Sequence, residues 1–220
     1  MDSYQKARER AAKRQLNVHE QFTRNVAEHE IEVLHDEGSY RHLRFRREKS
    51  RNYMFDLVTW PWHLAITGDM GGQLFCRLED MFQFFRSSTG DINPQYWAEK
   101  IVSEREAVRK YDEGLFQDFV MSEAAENEVD FPGLAKAVEK SLVSEWSGVE
   151  WGSEDIARFE VNCFEFPDKW KREKGDPFFR FDLTDTDFRD WTYHYLWQCY
   201  AIQWGIAQYD AHKGRATDGT

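Results

Sequence analysis

Few places in this chain carry residues that could do chemistry. The first is the run HLAITGDMGG, where His63, Thr67 and Asp69 stand among Gly68, Gly71 and Gly72. A glycine-rich turn presents backbone N–H groups, and an imidazole with a carboxylate can move a proton or hold a cation. An enzyme acting on a nucleotide or phosphoester, with His63 and Asp69 as its catalytic pair, is therefore one expectation. The same residues also fit a plain hairpin, with the glycines supplying positive φ, Asp69 bonded to local backbone and His63 opening a strand.

A second place is a basic strip of Arg41, Arg44, Arg46, Arg47, Lys49 and Arg51, interleaved with His42 and Phe45. Such a strip can neutralise phosphates, which predicts nucleic-acid contact, or it can dock on the acidic helical segment of the same chain or of another subunit, or simply be solvated. With Gly68 and Gly71 it forms the candidate binding surface. A third place is acidic. Residues 111–166 hold fourteen carboxylates against three basic residues, Lys136, Lys140 and Arg158, a net of −11 that equals the charge of the whole chain. That segment either serves solubility or imitates the charge line of DNA and occupies a nucleic-acid-binding protein.

Three adjacent acidic pairs, Glu79 with Asp80, Asp112 with Glu113 and Glu154 with Asp155, fall at predicted helix starts. The helix macrodipole favours negative charge there, so capping explains them better than catalysis. His29, His35, His42 and His63 show neither an i, i+4 pair nor a zinc-like spacing, so no metal is expected. No Walker loop, G-x-S-x-G elbow, H-E-x-x-H or dinucleotide fingerprint occurs. No cofactor is expected, and a binding role is favoured over an enzymatic one.

The elements that must position these groups follow from periodicity. Residues 3–30 read as a basic helix that frays or protrudes, with Leu16, Val18, Phe22 and Val26 as a sparse apolar stripe. Over 31–77 the period changes to two, in short runs separated by turn residues, which predicts an antiparallel meander of four or five strands. Leu43 and Phe45 would share one face with Tyr53, Phe55 and Leu57, leaving His42, Arg44 and Arg46 on the other. Helices are predicted from Glu79, from Pro94 with Asn93 as N-cap, and around 115–126, 132–146 and 153–164. PFFRFDLTD reads as a short strand, and Thr186 or Asp187 then caps a long aromatic helix from Phe188.

On that last helix Phe188, Trp191, Tyr195, Cys199, Ile202 and Ile206 form one stripe and Tyr193, Trp197, Tyr200 and Trp204 a second. It is either buried on several sides or docked on another chain, and a homo-oligomer through 188–209 is one expectation. The fold class is α+β, an antiparallel meander packed on a helical layer. Boundaries fall at 1–30, 31–102 and 103–220, with the last two packing as one domain. The aromatic content, 17 Phe, 9 Trp and 9 Tyr in 220 residues, argues against global disorder.

YRHLRFR, FDLVTWPWHLAITGDMGGQLFCRLEDMFQFFR and INPQYWAEK together resemble a family of functionally uncharacterised proteins of tailed bacteriophages and prophages. The family pattern carries Gly where Trp62 stands. The resemblance implies expression in a bacterial host, and three scattered cysteines without a C-x-x-C pair fit a reducing cytoplasm. No run is apolar enough to span a membrane. The expected role is a phage accessory protein that binds a host or phage macromolecule, with interference in host defence as the specific form. A nucleic-acid-associated factor using the strip at 41–51 is the alternative to set beside the enzyme.

Overall fold

The computed structural model describes residues 3–168, 173 and 175–218. The chain divides into two compact units. One holds Ala12–Arg109 and the chain from Trp191 onward; the other holds the start of the chain to Ala11 with Lys110–Asp190.

The first unit is built on a five-stranded antiparallel sheet of β1 (Glu30–Glu37), β2 (Tyr40–Arg46), β3 (Phe55–Trp60), β4 (His63–Gly68) and β5 (Gly71–Cys76), ordered as they occur in the chain. The predicted alternation is the observed one. Leu43, Phe45, Phe55, Leu57, Leu64 and Ile66 fill the core at no more than 2% exposure. Register sets Phe45 opposite Phe55 and Leu43 opposite Leu57, and the two phenylalanine rings stack at 4.8 Å. Tyr53 lies outside β3 at a positive φ of 56°, so it does not continue that row.

Two helices close over the apolar side of this unit, the part of α1 (Ser3–Val26) from Ala12 onward and α7 (Tyr193–Asp218). The second half of α1 does not protrude as expected, because Val18, Phe22 and Val26, four residues apart, are buried, while Leu16 is exposed. Trp197 meets Phe22 and Phe55 edge-on at 5.2 and 5.6 Å, and Trp204 meets Phe45 at 5.6 Å. Each such aromatic side chain contributes about 1.5–3 kcal/mol on burial. Polar anchors fix the register of α7: Gln198 donates to Met70 O at 2.7 Å, Tyr195 to Pro94 O at 2.7 Å and Tyr209 to Asp36 at 2.9 Å. Gly205 permits the close approach, since a Cβ there would stand 2.8 Å from Leu57 Cδ1 and 3.2 Å from the Phe45 ring.

These contacts correct the expectation that α7 offers an aromatic stripe to a second copy. Tyr195, Trp197, Cys199, Tyr200, Ile202 and Ile206 are all buried within the chain. The helix also starts later than predicted. Arg189–Trp191 form a strand, β7, paired with β6 (Arg109–Tyr111), and Thr192 Oγ1 then accepts from Tyr195 N.

Short helices follow the sheet. α2 (Met81–Phe85) is capped by Asp80, and α3 (Pro94–Ala98) by Asn93, as the sequence predicts. α3 is shorter than expected: Cys76 N donates to Lys100 O and Val102 N to Leu74 O, so 100–102 runs extended along the edge of β5. Edge pairing there outweighs a helix that has completed little more than a turn.

The second unit is helical: α4 (Glu113–Glu126) capped by Asp112, α5 (Leu134–Val138) continued by a π-helical turn (Glu139–Val143), and α6 (Glu154–Cys163). Phe116 stacks on Phe188 at 3.9 Å with Trp151 edge-on at 5.2 Å. Phe188 thus belongs to this core and not to the aromatic helix. The predicted strand in PFFRFDLTD is an extended stretch whose Phe179, Phe181 and Leu183 alternate inward, with a single bridge from Phe179 to Phe166.

Candidate functional site

The arginine strip does form, on β2 and the turn after it, but its charges are answered locally. Arg41 points to the core side, 10% exposed in its side chain, with Nη1 and Nη2 donating to Asp80 at 2.9 and 3.2 Å. Its guanidinium also lies 4.6 Å from the Phe82 ring centre. On the opposite face Arg44 lies across from Asp56 of β3, and Nε and Nη2 each donate to that carboxylate at 2.9 Å. His42 Nε2 stands 2.9 Å from the same group, which is 8% exposed. Burial alone would raise the Asp56 pKa, yet the hydrogen bonds and charges of Arg44 and His42 outweigh it and hold the carboxyl below its ordinary value.

The remaining cations of the strip are also placed. Arg46 pairs with Glu32 of β1 at 3.1 Å, Arg47 with Glu28 at 3.4 Å and Lys49 with its neighbour Glu48 at 3.2 Å. Arg51 is exposed and makes no ion pair among the described residues. Five of the six cations therefore have a carboxylate within reach. Asp56 and Asp80, which matter most here, were not picked out from the sequence as partners. A carboxylate at an outward position of FDLVTW, one strand along from RHLRFR, was the available signal.

The glycine turn resolves into a hairpin. Gly68 pairs with Gly71, leaving Asp69 and Met70 as the two-residue loop. Of Gly68, Gly71 and Gly72 only Gly71 has positive φ, 80°. Gly68 is required by proximity instead, because a Cβ would come 2.1 Å from Met54 O. Asp69 accepts from Tyr53 N at 2.8 Å, and its own N–H donates to Met54 O at 2.9 Å. His63 sits at the other end of β4, about 20 Å away by strand rise. Its ring stacks on Trp60 at 5.0 Å and its Nδ1 faces Pro61 O at 3.0 Å. His63 and Asp69 are not brought together, so the turn supplies no acid–base pair. Thr67 is exposed, its strand position opposite Asp56 on β3.

No family model, curated protein or solved structure matches this chain. Charge and exposure must then carry the functional reading, and they point to the helical unit.

Outside 111–166 the chain has 26 basic and 26 acidic residues, so the full net charge of −11 resides in that segment. Glu113, Glu126, Asp130, Glu139, Glu145, Glu150, Asp155 and Glu160 are exposed there, and none forms an ion pair with a described residue. Of the three cations, Arg158 turns inward, bonded to Glu154 at 2.9 Å and to Thr186 O at 2.8 Å beneath the Phe188 ring. The local titration reflects this field. Burial first, then Glu154 and Glu113, push the Tyr111 phenol up to about 12, and burial with Glu126 raises Glu123.

Apolar groups lie among these carboxylates. On α6 the buried side carries Ala157 and Val161, while Ile156, Phe159 and Cys163 form a second row at i, i+3 and i+7 that faces out. Phe159 is 64% exposed, with Asp155 and Glu160 exposed beside it. Trp146 is 93% exposed. The sequence did hold this signal: α6 has two apolar rows where a helix resting on one core needs one. The acidic pairs behave as caps, with Asp112 and Asp80 accepting from Leu115 N and Phe82 N and Glu154 and Asp155 in the first turn of α6.

Among the described residues no helix is long and apolar enough to cross a membrane, and no cluster of three or more His, Cys, Asp or Glu could hold a metal.

Proposed function

We propose that this chain is a phage-encoded accessory protein that works in the cytoplasm of a bacterial host by binding a basic protein, host or phage, through the acidic face of 111–166. The supporting observation is the coincidence on one unit of eight exposed carboxylates with no ion pair among the described residues and the outward row of Ile156 and Phe159 on α6. Uncompensated like charge raises the encounter rate with a cationic surface, and exposed aromatic area gives such an encounter a short-range, desolvated contact. Arginine-rich surfaces that bind nucleic acid are the natural complement, so interference with a host defence factor by occupying its nucleic-acid site is the role we assign.

The phage context rests on the resemblance of the sheet segment. Trp62, where φ is 74°, departs from the Gly of the family pattern.

Affinity capture from a lysate of the natural host tests the proposal. A protein with a basic binding surface should be retained in low salt and released both by about 0.4 M salt and by added duplex DNA. Capture that survives both treatments, or capture of DNA itself, contradicts it.

A further inference from the structure

A small pocket of about 190 Å³ opens in the sheet unit where the end of α1 meets the loop between β2 and β3. That is below the roughly 300–1,000 Å³ of sites for drug-sized ligands, so it suits a group of a few heavy atoms. Its walls are polar: Arg24 and Asn25 from the last turn of α1, Glu28 and His29 from the turn after it, and Arg47 and Asn52 from the loop. The loop is held in place. Lys49 and Tyr53 have positive φ, 58° and 56°, although neither is glycine. Tyr53 N donates to Asp69 at 2.8 Å and Tyr53 O faces His29 Nε2 at 3.2 Å, so the surroundings fix that strained turn on both sides.

The groups that line this pocket favour an anion. Arg24 is exposed and forms no ion pair with a described residue, although Glu28 stands four residues on. Arg47 meets Glu28 through one bond of 3.4 Å with both side chains more than half exposed, so water competes for it. The side-chain amide of Asn52 makes no hydrogen bond with a described residue and brings two N–H donors. Burial lowers the pKa of His29 and favours the neutral ring, which adds no charge. Against the two guanidiniums stand the Glu28 carboxylate and the carboxyl end of α1, whose dipole is equivalent to about half a negative charge. The pocket remains positive, and Glu28, 72% exposed, can turn toward water.

We infer that this pocket binds a single phosphate-type oxyanion, held by the Arg24 and Arg47 guanidiniums with the Asn52 amide donating beside them. The planar guanidinium fork matches paired phosphate oxygens, and charge-assisted hydrogen bonds of this kind are about twice as strong as neutral ones. The anion takes the place of the Glu28 carboxylate on Arg47. The site uses no residue of the acidic face and needs no partner.

Calorimetric titration of the full chain with inorganic phosphate is the test, at an ionic strength held constant with sodium chloride so that screening does not imitate a site. Phosphate should bind with a Kd of about 1 mM or tighter, and Arg24→Gln should weaken it at least about tenfold. Glu28→Gln should tighten it about threefold by removing the internal competitor for Arg47. Arg24 and Glu28 are exposed, so both variants should melt with the parent. Oligothymidylate, the second probe, should not bind, because the pocket admits one small group and not a polymer backbone. Absence of phosphate binding, unchanged affinity in Arg24→Gln, weaker binding in Glu28→Gln, or binding of oligothymidylate in place of phosphate overturns the inference. Partner capture by 111–166 should persist in Arg24→Gln, which separates failure here from failure of the proposed function.

Discussion

The two units handle charge in opposite ways. In the sheet unit cations and anions nearly balance, 16 against 17, and they meet: Arg44 and His42 converge on Asp56, Arg41 on Asp80, and Arg46 on Glu32. In the helical unit residues 111–166 set fourteen carboxylates against three cations, and eight of those carboxylates are exposed with no ion pair among the described residues. A basic strip in a sequence is thus a weak pointer to an anionic ligand when the neighbouring strand can supply carboxylates in register, whereas an excess with no internal answer must be met by solvent, counterions or a partner.

The comparison can be broken from the sheet side first. Gly68→Ala would drive a Cβ into the backbone of Met54, at 2.1 Å from its oxygen, and neither strand can yield without losing its ladder. A loss of about 3 kcal/mol or more in denaturant unfolding is expected. Gly205→Leu should cost about 3 kcal/mol by forcing α7 off Leu57 and Phe45. Ordinary stability for either variant would mean that the sheet unit is less tightly closed than described.

Asp56→Ala sharpens the comparison. It leaves Arg44 and His42 without their shared carboxylate, so stability should fall by about 1–3 kcal/mol at neutral pH. It should also create weak, salt-sensitive DNA binding absent from the parent, visible in a mobility-shift assay. The pH dependence has a definite sign. Asp56 and Asp36 have depressed pKa values, so their contribution is present above the ordinary carboxylate value and is lost as pH falls through the lower folded one. Asp56→Asn should flatten that acid limb in thermal melts.

His29 gives a smaller effect in a different window. Burial, and then Arg47, lower its pKa against the opposing Tyr53 carbonyl and Glu28. Its contribution is therefore full above the ordinary histidine value of about 6.5 and declines as pH falls through the depressed one. His29→Gln should remove the part of the stability slope that sets in as pH falls below the ordinary histidine value, and an unchanged slope would contradict the burial argument.

Much of the fold was legible because its cause is local. Period-two alternation at RHLRFR and FDLVTW placed the sheet, and Asn93, Asp80 and Asp112 marked helix starts with side chains that do cap them. What escaped depended on distance along the chain. Arg41 meets Asp80 thirty-nine residues later, and Phe188, read as part of an aromatic helix, instead stacks on Phe116. The carboxylate partners of the arginine strip escaped for the same reason, since pairing across strands is invisible until register is known. The acidity of 111–166 and the two apolar rows of α6 stand in the sequence, but which row faces outward depends on packing that the sequence does not show.

Neutralising the acidic face should hardly touch stability. Glu139→Gln, Glu145→Gln, Glu150→Gln, Asp155→Asn and Glu160→Gln combined remove exposed charges that pair with no described residue, so the melting midpoint should stay within the equivalent of about 0.5 kcal/mol per site while partner capture is lost.

Hydrogen exchange of the chain alone and with its captured partner tests the contrast between the units most directly. Slower exchange on binding is predicted in α6 and across 139–150, with β2 and the turn at 47–51 unchanged. Protection confined to 40–51, with α6 exchanging as in the free chain, would contradict it.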